Sequence, residues 1–159
     1  MPLSRIEVGG IIRVRDLCLL GVMAAPDRPG IGSGIFTALG EAGLNTQFII
    51  QCIDLTGMSN ILFCVAEEDS LRARALVQPI AAELGAQAVQ ETHQVALLSV
   101  FGPDFRERPG IAGAVFGAMA LHHINILAIS TSISTVTCVI DGADMEQALV
   151  ALRETVKLP

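Results

Sequence analysis

The chain contains no tryptophan and no tyrosine, and only 16% of its 159 residues are charged. Acidic residues outnumber basic ones by 16 to 10, which gives a formal net charge of −6. Proteins that bind nucleic acids present basic surfaces, and those that bind single strands add aromatic side chains on which bases stack. The composition therefore excludes nucleic acid as an expected partner.

Long hydrophobic runs are also missing. The longest extends from Leu17 to Ala25, whereas a helix that spans a bilayer needs about 20 apolar residues. Charged residues at Glu7, Arg13 and Arg15 interrupt the apolar core that a secretory leader requires. No membrane partner is expected, and the cytoplasm is the expected location.

The sequence offers little to a catalytic, metal or cofactor site. The four cysteines have apolar neighbours and no short paired spacing, which favours buried, reduced thiols over metal ligands; they are Cys18, Cys52, Cys64 and Cys138. The three histidines (His93, His122 and His123) lack a carboxylate at a suggestive spacing. The glycines at 30, 32 and 34 lack the final spacing of a dinucleotide fingerprint. We therefore expect no catalytic residue, no metal and no cofactor.

The most informative feature of the sequence is a motif that occurs twice. Residues 27–39 begin Asp-Arg-Pro-Gly-Ile, and residues 107–119 begin Glu-Arg-Pro-Gly-Ile, at a constant offset of 80 that also places Asn45 on Asn125. Such an internal repeat predicts two similar structural units. Each copy is typical of a turn that leads into a helix, because Pro fixes φ and apolar residues follow at helical spacing. The free amides at such a helix start can bind a small anion, although a Pro-Gly sequence is also compatible with a simple tight turn.

The pattern predicts the order β-α-β-β-α-β in each copy. Helices are predicted at 31–41, 71–84, 111–122 and 145–156, and strands at 17–23, 44–55, 61–65, 86–92, 95–101, 124–131 and 135–140. Residues 5–15 are predicted to form a broken strand pair around Gly9 and Gly10. Only four residues follow the last helix, so the second copy lacks a fourth strand, which residues 5–15 are expected to supply.

The expected fold class is α+β, with two ferredoxin-like βαββαβ units, at 16–92 and 93–159. Each unit should have a four-stranded antiparallel sheet with helices on one face. Hydrophobic residues make up 52% of the chain, more than two small units can bury internally. A homodimer is therefore expected.

These features together resemble a known family, the tandem ACT domains, and among them the regulatory, beta-subunit-like region of aspartokinases. The likeness is carried by Asp27-Arg28-Pro29-Gly30, Ala42-Gly43-Leu44-Asn45, Arg108-Pro109-Gly110-Ile111-Ala112 and Ile129-Ser130-Thr131-Ser132. The resemblance implies a non-catalytic module that binds an amino-acid end product, lysine or threonine. It also implies feedback control of a kinase catalytic subunit.

The same resemblance implies a set of effector-binding residues. Asp27 would hold the ammonium group, and the amides near Gly30 and Ile31 would hold the carboxylate, a division that charge complementarity supports. The remaining implied residues are Gln51, Asn60, Asn125, Ile126 and Ser130. In the second copy Glu107 has a longer side chain on a longer loop, so the first copy is expected to have the better site.

The sequence departs from the family pattern at three positions. Ile133 and Thr135 stand where the family usually has a glutamate and a basic residue, and Asn60 stands where it usually has an aspartate. These changes remove charge, and they fit an alternative function as a ligand-free structural or dimerisation module. An enzyme is a third alternative, with no supporting set of residues.

Overall fold

A computed structural model describes residues 5–103 and 105–159 of the chain. The helices are α1 (Ile31–Glu41), α2 (Ser70–Glu83), α3 (Ile111–Leu121) and α4 (Met145–Thr155). The strands are β1 (Ile6–Glu7), β2 (Gly10–Pro26), β3 (Ile49–Ile53), β4 (Met58–Ala66), β5 (Ala88–Phe101), β6 (Ile126–Thr131), β7 (Thr135–Asp141) and β8 (Val156–Lys157). Short 3-10 turns, Glu67–Asp69 and Gly142–Asp144, precede α2 and α4.

The chain divides into two compact units. The first unit is Asp16–Gln94, and the second unit combines residues 5–15 with 95–159. The strands β2 and β5 contribute to both units, because the unit boundaries fall within them, after residues 15 and 94. The strand order is β3-β4-β2-β5 in the first unit and β2-β5-β7-β6 in the second. The central strands β4 and β7 pair antiparallel with β3 and β6 respectively. The α+β ferredoxin-like fold class predicted from the sequence is confirmed.

The core of the first unit lies between its sheet and its two helices. Alternate residues of β2 face the helices, because side chains alternate between the two faces of a strand; the register pairs Cys18 with Val65, Leu20 with Phe63, and Val22 with Ile61. Helix α1 buries the apolar stripe Ile31, Ile35 and Leu39 against them, as the four-residue spacing predicts. Phe36 packs edge-on against Phe63, with ring centroids 5.2 Å apart.

The core of the second unit repeats this arrangement. Helix α3 buries Ile111, Val115 and Met119 against residues of β5 and β7. The N-terminal segment takes part in the same core: Val8 is only 6% exposed and clusters with these residues. Its amide donates to the carbonyl of Lys157 at 3.1 Å, and β1 pairs in parallel with β8.

The strand predictions are wrong at two places. Residues 10–26 form one strand rather than the end of a broken pair and a separate strand, and residues 88–101 likewise form one strand rather than two. Asp16 and Gln94 adopt left-handed backbone conformations (φ 56° and 55°). They interrupt the apolar-polar alternation, because a residue in this conformation shifts the following side chains to the other face of the sheet, while the strand itself continues.

Three smaller corrections concern the start of β3, the residues after α4, and Cys52. Residues 44–48 precede β3 instead of belonging to it, and the short tail after α4 does form a strand, β8. Cys52 is exposed, unlike Cys18, Cys64 and Cys138. It lies on β3 at the edge of the sheet, opposite Asn60, so its predicted burial is wrong.

The longest helix, α2, has 14 residues. Within the described ranges, no helix combines the length and the apolar character needed to cross a membrane.

Candidate functional site

A pocket of about 430 Å³ opens where β2 ends and α1 begins. Four of the predicted effector-binding residues line it: Asp27, Gly30, Ile31 and Gln51. Asp27 lies in the connection just after β2, and its side chain is exposed, so its carboxylate can reach a ligand from solvent. The structure therefore brings together in one pocket the predicted anionic group and the predicted helix start.

The helix start is shaped by Gly30. This residue is the N-cap of α1 and adopts a left-handed conformation with φ 99°, which glycine tolerates without the steric cost that other residues incur. Its carbonyl accepts the first helical hydrogen bond, from the amide of Gly34 at 2.9 Å. The amides of the first turn have no intrahelical partner, and no side chain caps them in the described part of the chain. They are available to a carboxylate.

Gln51 enters the pocket from the neighbouring strand β3. It pairs with Ile61 of β4, whose side chain belongs to the core beneath the helices, so Gln51 also faces the helix side of the sheet. Its Nε2 donates to the Oγ of Ser59 at 2.6 Å. Ser59 is fully buried, so this hydrogen bond orients the amide of Gln51, and the carbonyl oxygen of that amide can still accept from a ligand.

Asn60 lies elsewhere. It neighbours Ser59 on β4 and therefore faces the opposite side of the sheet, where it pairs with Cys52. Its Oδ1 accepts from the amide of Ala24 at 2.9 Å, and its Nδ2 donates to Asp54 at 3.3 Å. Ala24 has φ 52° and sits in the irregularity of β2, so the Asn60 side chain stabilises a bulge and does not line the pocket.

The other predicted residues belong to the second unit. Asn125 is exposed immediately before β6, Ile126 begins that strand and packs against the core of its unit, and Ser130 pairs with Thr137. Ser130 is half-buried. At the sequence offset of the repeat, Gln51 corresponds to Thr131 at the end of β6.

The repeated turn of the second unit has the same backbone but different surroundings. Gly110 is the N-cap of α3 with φ 93°, and its carbonyl accepts from Ala114 at 3.0 Å. Arg108 points to the carbonyl of Glu7, 3.5 Å away, and Glu107 is exposed. The helix start is therefore conserved in geometry between the units, whereas the side chains around it are not.

The predicted effector-binding set omitted three residues that line the first pocket, Arg28, Pro29 and Gly32, and one residue behind it, Ser59. Gly32 lines it, and a Cβ added there would meet nothing within 4 Å, so the backbone of the first helical turn is open to a ligand. Ser59 orients Gln51 from the next strand. The alternation of β4 could have indicated the side of the sheet on which Ser59 lies, but only the register places it beside Gln51.

The cysteines are unsuited to nucleophilic chemistry. Burial raises the pKa of Cys18 and of Cys138 to about 11 and that of Cys64 to about 12. These thiols are therefore protonated at neutral pH, whereas the thiolate is the reactive form. None of these three cysteines is therefore an activated thiol.

Comparison with known proteins links the chain to one group. The ACT domain family model matches residues 98–156. The aspartate kinase Ask_LysC of Stutzerimonas stutzeri is 32% identical over 151 residues, which cover 95% of this chain and 37% of that protein. The chain thus spans little more than a third of the length of the curated relatives it matches.

Solved structures match nearly the whole length of the chain. The regulatory subunit of aspartate kinase from Thermus flavus superposes with a TM-score of 0.85 at 27% identity, over 94% of this chain and 98% of that one. Aspartate kinase from Synechocystis superposes with a TM-score of 0.87 at 32% identity, over 98% of this chain and 28% of the enzyme. The similarity therefore extends to both units and their order.

Proposed function

The chain is a pair of ACT domains in tandem that resembles the regulatory region of aspartokinases, and from this premise we propose that it binds lysine or threonine and transmits feedback control to an aspartate kinase. Its similarity to aspartokinase regulatory ACT domains supports an allosteric regulatory role. The 159 residues align with nearly the whole regulatory subunit from Thermus flavus and with little more than a quarter of the aspartate kinase from Synechocystis.

The pocket beside α1 is the observation that carries the proposal. An amino acid has an ammonium and a carboxylate two bonds apart, and the pocket offers a carboxylate at Asp27 and unpaired amides after Gly30. An anion at a helix start is favoured by the amides and by the helix dipole. Gln51 adds a polar group on the third side, held by Ser59. The volume of about 430 Å³ is ample for one free amino acid.

Three further parts complete the proposal. The family resemblance also implies effector binding by Asn60, Asn125, Ile126 and Ser130, of which Asn60 does not line the pocket beside α1. A homodimer and a kinase catalytic subunit are the proposed partners. The two ACT domains predicted at 16–92 and 93–159 are proposed to correspond to the two compact units, Asp16–Gln94 and residues 5–15 with 95–159. The cytoplasm is the proposed location, in keeping with four cysteines that are all free.

Calorimetry with lysine and threonine tests the proposal directly. A charge-assisted hydrogen bond contributes roughly 1.5–3 kcal/mol, so Asp27→Asn should weaken effector binding by about tenfold to a hundredfold. Glu107→Gln is the matched control at the same position of the repeat and should change the affinity little. Equal losses from both variants would contradict the assignment of the effector site to the first unit alone.

One observation favours a second function, a ligand-free structural or dimerisation module. Asn60 stands where the family usually has an acidic residue. Its side-chain amide is already hydrogen-bonded to Ala24 and Asp54 within its own unit. This alternative predicts no heat of binding and no thermal shift with any common amino acid, for the unchanged protein and for both variants.

A further inference from the structure

We propose that the first unit contains a second site, a binding site for zinc or a similar thiophilic divalent metal ion formed by Cys18, Glu67 and His93. One ligand atom from each residue can be chosen so that all three lie within 4.8 Å of one another. They comprise a thiol sulfur, a carboxylate oxygen and an imidazole nitrogen. This donor set is characteristic of zinc, which binds three protein ligands and a water molecule in open sites.

The fold, not the sequence spacing, brings these residues together. Cys18 lies on β2, Glu67 directly follows β4, and His93 lies on β5, three strands that are neighbours in the first unit. The pairing of Leu17 with Ala66 places the end of β4 beside the start of this part of β2. Positions 18, 67 and 93 match no metal-binding motif, and the sequence accordingly predicts no metal.

The side chains around the three residues form the kind of outer shell that metal sites use. Nδ1 of His93 faces Glu67, at 2.5 Å from its Oε1, and Nε2 lies 3.6 Å from Oε1 of Glu91. Glu91 is held by Arg74 at 2.6 Å, and the other oxygen of Glu67 accepts from the amide of Gln94 at 2.9 Å. Histidines that ligate metals commonly direct their second nitrogen to a carboxylate, which fixes the ring orientation.

Electrostatics favours a cation at this point. Cys18 is fully buried, a carboxylate oxygen of Glu67 lies within 4.8 Å of its sulfur, and a second carboxylate, Glu91, lies beside His93. On binding, the thiol proton leaves to solvent and the sulfur bonds to the ion as a thiolate, which neutralises part of the metal charge. His93 and Glu67 exchange their direct hydrogen bond for bonds to the ion. The half-exposed His93 side chain has room for this movement.

The proposed metal site is distinct from the effector pocket. Cys18 lies near the start of the first-unit part of β2, and Asp27 follows its end. They are nine positions apart in sequence, which corresponds to at most about 30 Å at about 3.3 Å per residue, and the bulge at Ala24 shortens this distance. The metal proposal therefore does not depend on the proposed effector function.

Cobalt spectroscopy on the whole chain tests the site. The protein is stripped of metal with a chelator, kept reduced and titrated with Co²⁺, and the expected result is one ion per chain with a thiolate-to-cobalt absorption band that Zn²⁺ abolishes. Cys18→Ser should remove the band. Cys52→Ser is the matched control, because Cys52 lies in the same unit and is exposed, and it should leave the band unchanged.

Two more variants keep the test decisive if Cys18→Ser fails to fold. His93→Gln alters a half-exposed ligand and should abolish stoichiometric Zn²⁺ binding in calorimetry. Glu91→Gln removes only the outer carboxylate and should weaken binding by about 10- to 100-fold. The proposal is overturned if the protein takes up no stoichiometric Co²⁺ or Zn²⁺, if the band disappears with Cys52→Ser, or if His93→Gln binds as tightly as the unchanged protein.

Discussion

Gly30 illustrates how one residue can serve both the fold and the site. Its φ of 99° lies in the left-handed region, which costs a residue with a Cβ roughly 1–2 kcal/mol. No atom lies within 4 Å of an added Cβ at this position, so backbone strain alone determines the expected effect. Gly30→Ala should lower the free energy of unfolding by about 1–2 kcal/mol, measured by urea denaturation.

Gly32→Ala is the matched control for that substitution. Gly32 lies two residues further on, inside α1, with a helical backbone and open space around it. Alanine is preferred to glycine inside a helix by up to about 1 kcal/mol, so this variant should be as stable as the unchanged protein or more stable. Equal destabilisation by both substitutions would contradict the assignment of the effect to the left-handed backbone of Gly30.

Asp54 is a second residue whose environment makes a measurable prediction. Its carboxylate accepts from the hydroxyl and the amide of Thr56 and from the amide of Met58, and these hydrogen bonds lower its pKa from 3.8 to about 2. The stabilisation is therefore present above about pH 4 and is lost as the pH falls through about 2.

Thr56→Ala should raise the pKa of Asp54 toward its ordinary value, because the largest single cause of the lowered pKa is the hydroxyl of Thr56. A carboxyl-detected NMR titration measures this shift. Thr37→Ala, on the exposed face of α1, is the control and should leave the pKa of Asp54 unchanged. A titration midpoint that stays near 2 in Thr56→Ala would contradict the assigned cause.

At the scale of elements, the helices were more predictable than the strands. Helix α1 has the predicted bounds, and α3 ends one residue early, because Pro-Gly turns, apolar spacing and terminal glycines are local signals. The strands β2 and β5 each continue through a charged or polar residue, Asp16 and Gln94. Their continuity depends on hydrogen bonds to residues distant in sequence, which local patterns do not contain.

The candidate sites divide in the same way. Asp27, Gly30 and Ile31 are consecutive parts of one turn, so a sequence motif suffices to group them, and the family resemblance added Gln51. Asn60 faces the opposite side of the sheet from Gln51 and Ser59, because neighbouring residues of a strand alternate between its two faces. Cys18, Glu67 and His93 come from three separate segments and could be grouped only through the topology.

The N-terminal segment yields a prediction for the second unit. Val8→Ala removes two buried carbon atoms from a position that is 6% exposed, which should cost about 2 kcal/mol. Amide hydrogen exchange should then accelerate in β7, while exchange in β4 of the first unit stays unchanged. Ile12→Ala, at a half-exposed position, should have little effect. Faster exchange confined to β4 would contradict the assignment of residues 5–15 to the second unit.

At the scale of the whole molecule, exposed apolar side chains support the expected homodimer. The edge strands β3 and β6 expose Ile53 (59%) and Ile129 (45%), and isolated sheet edges with such side chains tend to associate. Sedimentation equilibrium at micromolar concentration should give twice the 16.7 kDa chain mass.

Replacing an exposed apolar side chain on either edge strand by a charged one should weaken the dimer. Ile53→Lys or Ile129→Lys should shift the mass toward that of a monomer, because a lysine is costly to bury in an interface. Leu71→Lys, on the exposed surface of α2 (80%), is the control and should leave the mass unchanged. A monomeric unchanged protein would refute the dimer.

The pairing of β1 with β8 constrains how the protein can be made on a ribosome. The first unit is one continuous stretch, Asp16–Gln94, and can fold as soon as it emerges. The second unit joins residues 150 positions apart in sequence, such as Glu7 and Lys157, so it cannot be completed until the last of these has been translated. At about 5–20 residues per second, the 65 residues from Val95 to Pro159 take about 3 to 13 s. During that interval β1 lacks the strand, β8, with which it pairs in the finished unit.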